Sequence, residues 1–111
     1  MTHRMTLCDG PFRMVEAGTK TVELRLYDEK RRLVQVGDEI LFRHAQTDET
    51  CRCAVREVRV FPDFAELYHH YTKTEMGYTE NETADPDDML LYYQKDDIAR
   101  LGVVAIRMAR L

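Results

Sequence analysis

Residues Gly18 to Arg25 read Gly-Thr-Lys-Thr-Val-Glu-Leu-Arg, so Lys20, Glu23 and Arg25 set two cations around one anion in a short span. If the segment is a strand, Glu23 and Arg25 share a face, because side chains alternate. Lys20 has the opposite parity and joins them only if it precedes the regular strand. A Lys beside a carboxylate serves as a base or proton shuttle when burial lowers its pKa. An Arg beside it holds a phosphate or carboxylate through two parallel hydrogen bonds. The same spacing also describes an exposed strand face with a plain ion pair, and spacing alone leaves both readings open.

Other residues add to this set. Lys30-Arg31-Arg32 extends a phosphate-binding track or forms a solvated helical turn. Tyr92-Tyr93 offers stacking surface for a base, or one ring in the core and one half-exposed. Tyr78 is a candidate cap on a cleft. Cys51 and Cys53 share a strand face, and no second Cys/His pair at ligand spacing completes a tetrahedral metal site. His69 and His70 are adjacent on an expected helix and point to different faces. Neither a metal nor a cofactor is expected.

The elements that must position these residues follow from periodicity. Met5 to Cys8 reads as a first strand. Asp9-Gly10-Pro11 starts a helix, with Asp9 as N-cap and Pro in the first turn. Phe12 and Val15 form its apolar side, and Gly18 ends it at C′. From Lys20 to Leu26 the pattern alternates, with Val22, Leu24 and Leu26 on one face and Thr21, Glu23 and Arg25 on the other. Asp28 to Arg32 is a helical turn, and Val36-Gly37-Asp38 turns into a strand over Glu39 to His44. Gln46 to Glu49 suits a hairpin loop. Along Cys51 to Phe61 the apolar parity changes from odd (Cys51, Cys53, Val55) to even (Val58, Val60). That change predicts a β-bulge near Arg56-Glu57, and bulges let strands bend around a barrel. Phe64, Leu67 and Tyr71 line the next helix. A polar, aperiodic loop runs from Thr72 to Asp85. Asp85-Pro86 restarts a helix with Met89, Leu90 and Tyr93 towards the core. A short helix over Gln94 to Leu101 stops at Gly102, and Val103 to Met108 is the last strand. The expected fold class is α+β: a small curved sheet or barrel with inserted helices.

Composition bounds the function. A chain of 111 residues suits one domain, here expected over residues 1–111. It is 44% hydrophobic and 32% charged, which implies a heavily charged surface rather than disorder. Nothing approaches the apolar run of about 18 residues that spans a membrane, and the N-terminus carries no apolar signal region. Three cysteines, an odd number, do not suggest a disulfide framework. These features place the protein in the cytoplasm. The net charge of −4 argues against a whole-surface nucleic-acid binder. The charge is uneven, however. Lys20, Arg25, Lys30, Arg31 and Arg32 cluster in one stretch, whereas the acidic excess lies between Glu75 and Asp97. A local basic patch still attracts phosphate within a Debye length, roughly 8–10 Å.

Gly18-x-Lys20-x-x-Glu23-x-Arg25 matches the GxKxxExR signature of ASCH domains. The resemblance continues through Leu26 to Arg32 and Val36-Gly37-Asp38-Glu39-Ile40. It ends at Tyr92-Tyr93 and Gly102-Val103-Val104-Ala105-Ile106, in the family's order over nearly the whole chain. The sequence most resembles small stand-alone ASCH proteins of prokaryotic type. That resemblance implies a PUA-like barrel of five to six strands with inserted helices and a cleft at the motif. It further implies RNA or nucleotide binding there through the motif residues Gly18, Lys20, Glu23 and Arg25, which Lys30, Arg31, Arg32 and Tyr93 join as ligand-binding candidates from residue type alone. One branch of the family hydrolyses N4-acetylcytidine with a motif Lys, which Lys20 matches. That branch places a Thr where this chain has Glu23, so the chemistry does not carry over intact. It also needs a later Glu, for which Glu75, Glu80 and Glu82 are the candidates. Another branch cleaves RNA, and no residue here marks that activity.

Two functions from different classes follow. The first is a binding module for RNA or a modified nucleoside, with Lys20 and Arg25 on phosphate and Glu23 on a base edge or on Arg25. The second is an amidohydrolase for an acylated nucleoside, with Lys20 and Glu23 as catalytic residues. ASCH domains of larger proteins resemble coactivator modules, so a protein partner is a third class. The oligomeric state is not legible in the sequence.

Overall fold

The computed structural model describes residues 1–111. Its five strands are β1 (Thr2–Leu7), β2 (Val22–Leu26), β3 (Glu39–His44), β4 (Thr50–Phe61) and β5 (Val103–Arg110). They form one sheet in the order β1-β3-β4-β5-β2. β1 and β3 run parallel, and every other pair is antiparallel. The sheet curls into a half-barrel, in keeping with the expected α+β, PUA-like architecture. Its two edge strands, β1 and β2, come close enough for side chains to span the gap. Arg25 of β2 donates to the Thr6 carbonyl of β1 at 3.2 Å. Lys30 donates to the Arg4 carbonyl at 3.1 Å.

One residue in β4 redirects the sheet. Val55 pairs with Met108 and Glu57 with Arg107, so Arg56 is the extra residue of a bulge. Before it, Cys51, Cys53 and Val55 face the barrel interior; after it, Val58 does, and Phe61 turns to the opposite face. The parity change in the sequence thus marks the bulge correctly. Val60 departs from expectation: it stays 48% exposed.

The sheet has a core on each face. Inside the curl, Phe12 and Val15 of α1 (Asp9–Ala17) meet Ile40, Phe42, Val55 and Ile106. On the other face, Val22, Leu24 and Phe61 pack with Phe64 and Leu67 of α2 (Phe64–Tyr68) and Ile98 of α3 (Lys95–Leu101). β5 serves both cores, which is why Val103, Val104, Ala105 and Ile106 form an unbroken apolar run with no exposure. Cys51 and Cys53 belong to the inner core, and burial pushes the Cys53 thiol up to about 12. No group of three or more His, Cys, Asp or Glu side chains is placed to hold a metal ion. No helix is long and apolar enough to cross a membrane.

Polar contacts fix the ends of the elements. Gly18 closes α1 at a φ of 81°, with its N–H donating to α1 carbonyls, as expected of a C′ glycine. Cys8, not Asp9, is the N-cap. Asp9 instead takes a 2.9 Å hydrogen bond from His44. His44 is buried, and its Nδ1 accepts the Gln46 and Thr47 N–H groups, so Nε2 carries the hydrogen given to Asp9. β1 begins earlier than its apolar residues suggest. His3 is buried against Asp38 at 2.8 Å, and this bond holds the Asp38 carboxyl down at about 2. Pro86–Leu91 is a 3₁₀ segment rather than an α-helix, and it turns Leu90 outward at 38% exposure instead of into the core.

Phe12 is fully buried in the inner core. Phe12→Ala is expected to lower stability by about 3–5 kcal/mol in urea unfolding. A loss under about 1 kcal/mol would show that α1 is not needed to close the barrel.

Candidate functional site

The seam between β1 and β2 opens into a cleft of about 550 Å³. Thr6, Leu7, Cys8 and Pro11 form one wall, and Lys20, Glu23, Leu24 and Arg25 form the floor. Tyr68, Met76, Gly77, Tyr78 and Glu82 close the second wall. Asp88, Met89, Leu91, Tyr92 and Tyr93 make the rim.

The local sequence explains how the floor is built. The Met14 carbonyl at the end of α1 accepts both the Thr19 and Lys20 N–H groups, at 3.0 and 3.1 Å. These bonds hold Lys20 just ahead of β2, which starts at Val22. Lys20 therefore escapes strand alternation and reaches the same side as Glu23 and Arg25. Pairing with β5 places Glu23 opposite Ile106 and Arg25 opposite Val104, both residues of the inner core. The polar face of β2 is accordingly not a solvated surface. It looks into the mouth of the barrel, and the alternative of an exposed ion pair falls away.

Glu23 is the hub. Its side chain is 3% exposed, beside Lys20 at 9% and Arg25 at 14%. One carboxylate oxygen lies 3.1 Å from Lys20 Nζ and accepts the Leu24 N–H at 3.3 Å. The other accepts from Arg25 Nε and Nη2 at 3.0 and 2.8 Å. Burial pushes the Glu23 carboxyl upward, but the Lys20 and Arg25 charges outweigh it, and the net pKa lies below the ordinary carboxylate value. Burial alone would lower the Arg25 pKa, yet the Glu23 charge raises it overall.

The loop expected over Thr72 to Asp85 completes the site through its backbone. The Glu75 carbonyl accepts the Thr21 and Val22 N–H groups at 3.0 Å each. The next carbonyl, that of Met76, accepts from Lys20 Nζ at 3.2 Å. Gly77 follows at a φ of 102°, and a Cβ there would sit 3.0 Å from Lys20 Cδ. Glycine thus satisfies both the backbone conformation and the close approach of the lysine.

Tyrosines set the walls. Tyr78 donates to Asp88 at 2.8 Å and shares a 2.8 Å hydrogen bond with Tyr68. Burial, together with these bonds, pushes the Tyr78 hydroxyl pKa up. Tyr93 stacks on Phe64 with ring centroids 6.1 Å apart, whereas Tyr92 is 67% exposed.

Several sequence candidates lie elsewhere. Gly18 ends α1 and does not line the cleft. Arg31 is tied to Asp28 at 3.1 Å, and the Arg32 guanidinium lies over the Tyr27 ring at 4.4 Å. Lys30 reaches β1 outside the cleft. The three consecutive cations therefore do not form one track, because a tight 3₁₀ turn over Arg31–Leu33 splays them apart. Among the later carboxylates, Glu75 is engaged by Arg107 at 2.9 Å and by Thr72. Glu82 lines the cleft but accepts the Thr79 N–H at 2.7 Å. The sequence reading missed Thr6, Leu7, Cys8, Met76, Gly77, Met89 and Leu91. Only the apolar alternation of β1 and the isolated glycine of the loop could have hinted at them.

The ASCH domain pattern matches residues 5–110 of the sequence. The chain belongs to the ASCH domain family. ASCH domains are thought to bind RNA. The crystal structure of hypothetical protein PH0355 is similar at a TM-score of 0.84 and 26% identity, over 100% of both chains. The solution structure of protein PF0455 from Pyrococcus furiosus is similar at 0.71 and 26% identity, covering 100% of this chain and 98% of that one. A mutant of the ASCH protein from Zymomonas mobilis shares the fold at 0.69 and 14% identity, over 97% of this chain and 67% of that one. The comparison with curated proteins gave no significant match.

Because the folded Glu23 carboxyl titrates below its ordinary value, its contribution to stability is full above the unfolded pKa of about 4.3. It fades as pH falls through the lower, folded pKa. Glu23→Gln leaves two mostly buried cations without their anion and is expected to cost about 3–5 kcal/mol near neutrality. The gap between wild type and variant should narrow in urea titrations run at progressively lower pH. A gap that stays constant with pH would show that Glu23 is not held as a carboxylate.

Proposed function

We propose that this ASCH domain binds RNA or a nucleotide in the cleft between β1 and β2. The observation that carries this reading is the buried Lys20–Glu23–Arg25 triad on the cleft floor. Two cations around one carboxylate leave a net positive charge at the base of a cavity, where field lines are focused. Glu23 is saturated by its partners, so its role is to position Lys20 and Arg25. Each cation keeps a donor for a ligand: Lys20 Nζ has a third N–H, and Arg25 Nη1 is uncommitted. A phosphate oxygen suits these donors.

The exposed face of Tyr92, flanked by Leu91 at 83% exposure, suits a stacked base. Asp88 and Glu82 on the rim and wall repel a second phosphate there and favour an exocyclic amine. This arrangement fits a single-stranded or mononucleotide ligand better than a duplex, in keeping with the acidic total of the chain. The apolar rim is continuous with the cleft, so we assign it to base stacking rather than to a protein partner.

Short single-stranded RNAs titrated at low and moderate salt should bind wild type. Lys20→Ala/Arg25→Ala should weaken binding at least tenfold and flatten its salt dependence. Tyr92→Ala, a surface change, should cost about 1–3 kcal/mol of binding with no change in thermal unfolding. Equal affinity in the double variant would remove the triad from the binding site.

A second reading rests on the direct 3.1 Å contact of Lys20 with Glu23 inside a cleft, a geometry suited to proton transfer. It makes the protein an amidohydrolase of an acylated nucleoside such as N4-acetylcytidine. Both neighbours of Lys20 Nζ are acceptors, which makes it a donor in this arrangement and favours the binding reading. Hydrolysis of N4-acetylcytidine that disappears in Lys20→Ala would reverse that preference. Turnover unaffected by Lys20→Ala would exclude the lysine from the chemistry.

A further inference from the structure

A second concavity, of about 250 Å³, lies on the other side of β1. Arg4, Lys30 and Arg43 line it with Thr6, Thr50, Met5 and Leu41, and no carboxylate does. In a chain of net charge −4, three cations around one hollow run against the average surface.

The sheet register explains the cluster. Thr6 pairs with Arg43, and Arg43 with Thr50, so these three form one row across β1, β3 and β4. Arg4 lies two residues before Thr6 on the same exposed face of β1. Lys30 is brought in from the far side of the seam by its bond to the Arg4 carbonyl. That bond uses one of three ammonium donors. Arg4 has no ion-pair partner. Arg43 pairs only with Asp48 at the exposed hairpin tip, with both side chains open to water. Such surface pairs are weak and readily exchanged for another anion.

Thr6 lines both the cleft and this hollow. Its carbonyl holds Arg25 of the triad, and its neighbours along the strand lead to Arg4. The two concavities therefore meet at Thr6 of β1.

We propose that the Arg4–Lys30–Arg43 hollow binds the backbone phosphates of a single-stranded RNA whose neighbouring nucleotide occupies the cleft. This inference rests on the cleft reading and adds the course of the strand. From the cleft, the chain passes over Thr6 and runs across the outer face of β1 and β3. The hollow contributes charge and no aromatic surface, so it holds backbone without reading sequence. A free mononucleotide occupies the cleft alone and does not sense these three cations.

The test measures binding of labelled single-stranded RNA of about eight nucleotides and of a mononucleotide. The proteins are wild type, Arg4→Ala/Lys30→Ala/Arg43→Ala, and Lys20→Ala/Arg25→Ala. Thermal unfolding checks that each variant is folded, and Lys20→Met/Glu23→Gln/Arg25→Met, which removes all three buried charges together, takes the place of the Lys20/Arg25 variant where that one is not. The groove variant should lose at least tenfold in oligonucleotide affinity. Its salt slope should flatten by about 0.7 for each phosphate contact removed. Its mononucleotide affinity should stay within about twofold of wild type. An unchanged oligonucleotide affinity, or an equal loss for both ligands, would overturn the proposal. Oligonucleotide binding lost only in the Lys20/Arg25 variant would overturn the groove and leave the cleft reading standing. Binding lost only in the groove variant would overturn the cleft reading and, with it, the continuous path. No RNA binding by wild type would overturn both.

Discussion

The Glu23 carboxylate, almost fully buried between two cations, is the interaction on which the rest of the structure turns. Taking a carboxylate out of water costs several kcal/mol even after relaxation. Here that cost is met by Lys20, Arg25 and the Leu24 N–H together. Each cation in turn needs an acceptor from another part of the chain. Lys20 takes the Met76 carbonyl from the long loop, and Arg25 takes the Thr6 carbonyl from the opposite sheet edge. A single buried charge thus fixes three segments that do not pair directly with one another. The site and the closure of the barrel are one arrangement.

That dependence separates what the sequence shows from what it hides. The bulge in β4 is legible because it changes the parity of apolar residues, a property of side chains. Gly18 is legible because a left-handed C′ position selects glycine. β5 is legible as an apolar run, although its burial on both faces becomes clear only once β4 and β2 flank it. The contribution of the loop after Thr72 is not legible. It acts through the carbonyls of Glu75 and Met76, and every residue type carries a carbonyl. The start of β1 is hidden for a related reason. Thr2, Arg4 and Thr6 face outward, and His3 is inside where Asp38, in the turn before β3, receives it.

The motif itself was readable as residue types, and its geometry was not. The alternation of β2 separated Lys20 from Glu23, and the Met14 carbonyl reunites them by delaying the start of the strand. Conversely, the consecutive cations Lys30, Arg31 and Arg32 looked like one feature and serve three separate ends. Arg4 and Arg43, far apart in sequence, become neighbours of Lys30 through the parallel pairing of β1 with β3. Membership of the ASCH family accounts for the fold. The distribution of charge around the cleft follows from the strand register.

The position of β2 in the sheet bears on how the protein is made. β2 has one strand partner, β5, and that partner comes from the far end of the sequence. While the chain is still emerging from the ribosome, β2 has no ladder to join, and Glu23 has no low-dielectric surroundings to withstand. β1, β3 and β4 can pair earlier, but both cores wait for the apolar run of β5. Long-range pairing of this kind slows folding and leaves apolar strands exposed meanwhile. Burial of the triad therefore depends on β5, so a nascent or truncated chain lacking β5 would carry the motif in its sequence without the buried site.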